Sequence, residues 1–140
     1  MYAKFDDSLV TGNEMIDSQH KELISRINDL LVKAENKVDK VGAVNMLAHL
    51  DEYTDFHFAA EEKLQEEIGY PGIEEHKKKH EELRQTVKEL REMLEEEEGP
   101  TEAFVAQVNQ KVVEWLYGHI QSFDRSVAEY KFMRDNHERV

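Results

Sequence analysis

Residues 57–80 read HFAAEEKLQEEIGYPGIEEHKKKH, and this stretch decides the fold. A helix carrying His57, Glu61, Leu64 and Ile68 on one face runs into Gly69-Tyr70-Pro71-Gly72. There glycine accommodates a left-handed cap and proline cannot continue the helix. A second helix follows, with Ile73, His76, His80 and Leu83 on its inner face. His57 with Glu61 and His76 with His80 are each four residues apart, so each pair projects from one side of its helix. The short link makes the two helices antiparallel neighbours. The pairs stand about 11 and 8 residues from the turn, which at about 1.5 Å per residue puts them at one level within roughly 5 Å.

The same periodicity extends outward in both directions. Upstream, Ile16, His20, Leu23, Ile27, Leu30 and Ala34 form one seam, and Leu47, Leu50 and Thr54 continue the seam of His57. Downstream, Val87, Leu90 and Leu94 extend the third helix, and Val105, Val108, Val112, Trp115 and His119 mark a fourth, with Asp124 just beyond. Asp17 or Ser18 is the expected cap of the first helix and Thr101 of the last. The spacing predicts helices over about 18–36, 41–68, 72–98 and 101–134 behind an irregular N-terminal arm, 1–16. The expected fold is therefore all-α: an up-down-up-down antiparallel four-helix bundle forming a single domain over 1–140.

Composition narrows the chemistry. The chain is 39% hydrophobic, with two prolines and six glycines to punctuate it, as an all-helical domain of 140 residues requires. With 31 acidic against 18 basic residues the formal charge is -13, which repels phosphate backbones and anionic membrane surfaces. No nucleic acid and no membrane partner is expected. There is no cysteine, so any metal must take nitrogen and oxygen ligands. The start, MYAKFDDSLVTG, has no basic segment followed by an apolar run, and nowhere do about 18 apolar residues follow one another. A cytoplasmic protein is the expectation. The acidic run Glu95 to Glu98 falls at a helix C-terminus, where the dipole disfavours it, so it reads as a fraying end.

Counting from each turn brings further groups to the level of the central pairs. His20 lies about 18 residues before the first turn, and His119 about 19 from the third, against about 20 and 21 for the pairs they face. His20, His57, Glu61, His76, His80, His119 and Asp124 therefore converge in one layer of the core. His119 and Asp124 are five apart, about 140° around a regular helix, so their convergence predicts a widened turn or a helix end between them. Clustering so many imidazoles and carboxylates in a core without a cation would cost several kcal/mol, against a domain stability of about 5 to 15 kcal/mol. They read as metal ligands. His49, off the seam, and His137, near the C-terminus, read as solvated residues without a role.

Seven ligands exceed what one first-row ion accepts, so two ions are the economical solution. If both carboxylates bridge, five histidines divide as three and two, and one ion keeps an open position for a small ligand.

The segments Ile16-Asp17-Ser18-Gln19-His20, His57-Phe58-x-x-Glu61-Glu62, Gly69-Tyr70-Pro71, His76-x-x-x-His80 and Trp115-Leu116-x-x-His119-Ile120-x-x-x-Asp124 resemble the hemerythrin family. The match is to its single-domain bacterial members, the bacteriohemerythrins, and spans nearly the whole chain. The resemblance implies two iron ions (Fe2+/Fe3+) with a bridging oxo or hydroxo group and reversible binding of O2, for storage, delivery or sequestration. It implies His76, His80 and His119 on the saturated iron, His20 and His57 on the open one, and Glu61 and Asp124 as bridges. Leu23, Ile27, Phe58, Trp115 and Leu116 are candidates for a dry pocket lining. The chain departs from the family pattern at Phe5, where bacterial members usually have tryptophan, at Asn13, where an aliphatic residue is common, and at Gln65, where methionine often follows the Glu-Glu pair.

The resemblance implies a binding protein rather than an enzyme, a monomer or weak homo-oligomer. The alternatives are a di-iron enzyme acting on peroxide or nitric oxide, an oxygen sensor working through a separate partner, and a bundle that holds structural zinc. Ferritin-like oxidases use Glu-x-x-His pairs, and no glutamate stands three residues before any histidine of this chain. The histidine-rich set therefore favours binding over oxidation.

Overall fold

The structure, a computed structural model, describes residues 2–136. Four helices make up the bundle. Helix α1 is Glu14–Ala34, α2 is Lys40–Ile68 and α3 is Ile73–Glu96. The fourth rod, α4, covers 102–136 and is interrupted by two wide π turns. It runs as Glu102–Val108, the π turn Asn109–Val113, Glu114–His119, the π turn Ile120–Asp124 and Arg125–Asn136. Each helix packs on its neighbours in sequence, and α4 closes the bundle against α1.

Local chemistry sets the helix ends. The turn at Gly69 is a Schellman cap: Gly69 sits at φ 66°, Tyr70 N–H donates to the Gln65 carbonyl at 2.9 Å, and Gly69 N–H donates to the Glu66 carbonyl at 3.3 Å. Thr101 Oγ1 accepts from Phe104 N at 3.1 Å, the cap expected from the sequence. Asp39 does the same for α2, accepting from Gly42 N at 2.8 Å. At that end of the bundle Gly99 has no room for a β-carbon, which would stand 1.9 Å from the Lys37 carbonyl oxygen, so the two adjacent loops close tightly.

The start of α1 differs from the expectation. The helix begins at Glu14, about four residues early, and its cap is Asn13, whose Oδ1 accepts from Ile16 N at 3.0 Å. Asp17 is engaged elsewhere: its carboxylate accepts from Thr11 N at 2.9 Å, Thr11 Oγ1 at 2.7 Å and Gly12 N at 3.2 Å. It thus ties the arm down from inside the first turn, where the dipole also favours its charge. Ser18 is exposed. The arm itself is fixed to the bundle, with Leu9 buried in the core and Asn28 holding Ala3 through paired bonds of 2.8 and 2.9 Å.

The seam of α4 is also shifted. Phe104, Val108, Val112, Val113, Leu116 and Ile120 are buried, whereas Val105 and Trp115 are only partly so. The π turn at Asn109–Val113 adds a residue to one turn, so Val112 and Val113 are both buried and Leu116 rather than Trp115 faces inward beyond it; the exchange of Val105 for Phe104 lies before that turn.

The apolar core is split in two. The larger cluster joins Leu23, Ile27, Leu50, Phe58, Leu83 and Leu116 with the rest of that end of the bundle. The smaller one is Ile16, Ile68, Val127 and Ala128. Helices α1, α2 and α4 contribute to both clusters and α3 to the larger one, and buried polar side chains interrupt each of the four.

Replacing Asn13 by alanine should lower the unfolding free energy by about 1 kcal/mol, the usual cost of a lost N-cap. Ser18→Ala should stay within about 0.5 kcal/mol of the parent. Urea titrations followed by circular dichroism compare the two; equal effects would mean that the helix starts at Asp17 after all.

Candidate metal centre

Nine polar side chains are buried among the described residues, and seven of them are the groups singled out in the sequence: His20, His57, Glu61, His76, His80, His119 and Asp124. The other two, Thr54 and Gln65, belong to α2. Thr54 is satisfied locally, its hydroxyl donating to the Leu50 carbonyl at 2.7 Å.

The seven fall into two groups, in each of which one ligand atom per residue lies within 4.8 Å of the others. One comprises Glu61, His76, His80, His119 and Asp124; the other comprises His20, His57, Glu61 and Asp124. Glu61 and Asp124 are common to both. His76 Nε2 is 2.9 Å from Asp124 Oδ1 and 3.0 Å from His119 Nε2, and His119 Nε2 is 3.0 Å from the same Asp124 oxygen. Neighbouring ligands on a six-coordinate ion with bonds of about 2.1 Å stand roughly 3.0 Å apart, so this triangle has the edge lengths of a coordination shell. On the other side of Asp124, Oδ2 is 2.7 Å from His20 Nε2.

The expected widening between His119 and Asp124 is present: Ile120–Asp124 is a π turn. Its hydrogen bonds span five residues, so the fifth residue returns to the face of the first. Without it Asp124 would point away from His119.

Side chains behind the ligands fix their ring orientation. His57 Nδ1 is 2.7 Å from Gln19 Oε1, and His80 Nδ1 is 2.8 Å from Glu62 Oε2. Each ring donates its Nδ1 proton outward, which leaves the Nε2 lone pair facing the centre. His80 stacks on Phe58 with centroids 3.8 Å apart and planes 4° from parallel. His119 lies between Trp115 at 4.4 Å and Phe123 at 5.3 Å, both nearly parallel to it. Gln19, Glu62 and Phe123 carried no assignment from the sequence. Gln19 and Glu62 stand next in sequence to ligands on their own helices, yet they serve rings on other helices, and seam counting does not reach across that gap.

The electrostatics suit a cation. Burial, reinforced by His20, pushes His57 down to about 3, and burial with His76 pushes His80 down to about 2. Both imidazoles are neutral at ordinary pH, the form that ligates metals. Burial followed by repulsion from Asp124 raises Glu61 well above the usual carboxylate range. Burial opposes ionisation of Asp124 too, but His119, His20 and His76 outweigh it and hold that carboxyl well below the usual range.

The donor set fits metal ions on a further observation. His57 Nε2, His80 Nε2 and both oxygens of Glu61 are buried, face the centre and have no hydrogen-bond partner among the described residues. Glu61 Oε1 comes within 2.9 Å of His76 Nε2 without the alignment of a hydrogen bond. Buried polar atoms in that state are costly, and a cation in their midst would engage all of them. With nitrogen and carboxylate oxygen as the donors, the site suits first-row ions such as iron, zinc or copper. His49 is exposed, in keeping with its reading as a solvated residue, and His137 lies outside the described residues.

Comparison with known proteins agrees with this geometry. The family model described as "Hemerythrin HHE cation binding domain" matches residues 11–130. A bacteriohemerythrin of Stenotrophomonas maltophilia is 31% identical over 125 residues, covering 89% of this chain and 78% of that protein. A bacteriohemerythrin of Clostridium acetobutylicum is 30% identical, covering 88% and 96% respectively. A myohemerythrin of Riftia pachyptila is 32% identical over 120 residues and 86% of each chain. The crystal structure of a hemerythrin variant with tyrosine in place of a leucine superposes with a TM-score of 0.77 at 22% identity, covering 90% of this chain and 94% of that one. On its matched residues, its relatives and its fold, this chain belongs to the hemerythrin family.

Proposed function

We propose that the protein binds O2 reversibly at a non-haem di-iron centre. The observation that carries this reading is the division of the buried ligands into two groups that share Glu61 and Asp124, with three histidines in one and two in the other. His76, His80 and His119 would hold one iron, His20 and His57 the other, and the two carboxylates would bridge. Two irons so held supply the electrons and the vacant coordination position that a reversible oxygen carrier needs.

The protein's own contribution is to hold the ligands and to keep the site dry. Leu23 and Leu116 stand one turn from His20 and His119 on the inner faces of α1 and α4, and Ile27 and Phe58 complete that wall; all are buried. Among the described residues no lysine or arginine is buried, and the buried carboxylates are the two shared ones. With the seven groups read as ligands, the buried shell of the described residues offers no further acid or base, which favours binding over catalysis. No helix among the described residues is long and apolar enough to cross a membrane.

Anaerobic reduction of the iron-loaded protein followed by air should give a visible oxygen band that disappears under vacuum and returns with air. Steady consumption of peroxide or nitric oxide without a reversible band would replace this reading with a catalytic one. His57→Ala should lose one of two irons together with the band, and retention of both would remove His57 from the ligand set.

The pH dependence of the metal-free protein has a definite sign. His57 and His80 are neutral when folded and take up protons on unfolding below about pH 6.5, so their contribution is fully present above 6.5. It is lost as pH falls toward about 3 for His57 and about 2 for His80. Glu61, raised in the folded state, acts oppositely and adds stability as pH falls through its raised range. The thermal midpoint of metal-free Glu61→Gln should therefore fall more steeply between pH 6.5 and 4 than that of the wild type. A shallower fall would show that Glu61 ionises freely in the fold.

A further inference from the structure

Gln65 is wholly buried on α2, one turn beyond Glu61, and its side chain meets His76. Its amide nitrogen lies 3.1 Å from His76 Nδ1, and its amide oxygen has no hydrogen-bond partner among the described residues. Its main chain is immobilised by the turn, because the Gln65 carbonyl accepts from Tyr70 N at 2.9 Å as α2 reverses into α3. The residue thus connects the cap of one helix to a histidine of the next.

The chemistry of His76 decides which end of the amide faces it. If the amide nitrogen donates to Nδ1, the ring proton must reside on Nε2, the atom 2.9 Å from Asp124 and 3.0 Å from His119 Nε2. That tautomer has no lone pair to offer a cation. The two ends of a carboxamide occupy the same space, and a half-turn about its last bond exchanges them. With Oε1 toward the ring, His76 donates its Nδ1 proton to Gln65 and turns its Nε2 lone pair to the centre. The unpartnered oxygen means that no existing bond is broken at that end. His57 and His80 already have this arrangement, each with a side-chain oxygen at Nδ1, from Gln19 and Glu62.

We propose that Gln65 is a positioning residue that accepts the Nδ1 proton of His76 through its amide oxygen and so holds His76 in the metal-ligating tautomer. This rests on the reading of His76 as a ligand. It makes all three histidines of the α2–α3 hairpin that reach the centre, His57, His76 and His80, oxygen-supported at Nδ1. His20 Nδ1 and His119 Nδ1, on the outer two helices, have no such partner among the described residues.

The test is anaerobic titration of the metal-free protein with iron(II) against a competing chelator, together with proton NMR of the exchangeable imidazole N–H signals of the iron(II) form. Gln65→Met preserves volume and helix propensity but accepts no proton, and circular dichroism checks that it folds. It should bind one of two irons about 10- to 100-fold more weakly, the usual effect of losing an outer partner of a ligand. Its His76 N–H signal should exchange with solvent faster by about the same factor. Gln65→Glu can only accept, and it should restore both the affinity and the slow exchange. Gln65→Met behaving as wild type in both measurements would overturn the proposal. So would Gln65→Glu as weak as Gln65→Met, since the nitrogen would then be the working end. Failure of the wild type itself to take two irons would overturn the ligand reading and the proposal together, an outcome distinct from either.

Discussion

A layer of imidazole and carboxylate groups buried across the middle of the bundle is the constraint on which the rest of the structure depends. Such groups are expensive inside a protein unless each is bonded or neutralised. The fold meets that cost in stages. Apolar clusters on either side of the layer supply the packing that holds the helices together. Asp124 collects His20, His76 and His119 around its two oxygens. Behind the layer, Gln19 and Glu62 accept hydrogen bonds from the outward Nδ1–H groups of His57 and His80. Among the atoms that face the centre, the Nε2 of His57 and His80 and the two oxygens of Glu61 are left as bare donors that a cation would complete.

The helix geometry serves the same layer. A regular α-helix brings residues four apart to one face, and α2 and α3 each use that spacing for a pair. His119 and Asp124 are five apart, and α4 reaches the same result with a π turn between them. Stacking of His119 between Trp115 and Phe123, one on each side along the same rod, then removes the ring's freedom to turn. The wide turn and the aromatic pair together do for one helix what two hydrogen-bonded rings do for the α2–α3 hairpin.

How far the sequence could be read follows from the range of each interaction. The seams of α1, α2 and α3 repeat at three and four residues, and the polar interruptions in them could be placed at one level by counting from the turns. The widening at Ile120–Asp124 was legible because two candidate ligands stood at a spacing that a regular helix does not bring together. The other π turn, at Asn109–Val113, separates ordinary apolar residues, so nothing in the sequence marks it; beyond it Leu116 takes the inward place expected of Trp115, while His119 is buried as expected. Asn13 was passed over as a cap because Asp17 looks equally suitable; only the arm's return, with Thr11 and Gly12 on that carboxylate, decides between them. Gln19, Glu62 and Phe123 support ligands that are distant in sequence or on another seam, and Gln65 stood out only as a departure from the family pattern.

The charges that burial permits in this layer explain how a domain can carry so many ionisable groups in its core. His57 and His80 are neutral, Glu61 is shifted toward its neutral acid, and the carboxylate that stays ionised, Asp124, is the one surrounded by nitrogen donors. Burial thus disfavours the charged forms of His57, His80 and Glu61, while nearby imidazoles keep Asp124 ionised. Cations entering it reverse the local logic, since a positive ion favours the ionised carboxylate that burial had opposed. On the proposed reading, uptake would release a proton from Glu61 and so depend on pH, and Glu61 is a member of both candidate ligand groups. Glu61, whose ionisation burial opposes in the folded chain, is a group that metal ions held between the two sets would stabilise as an anion.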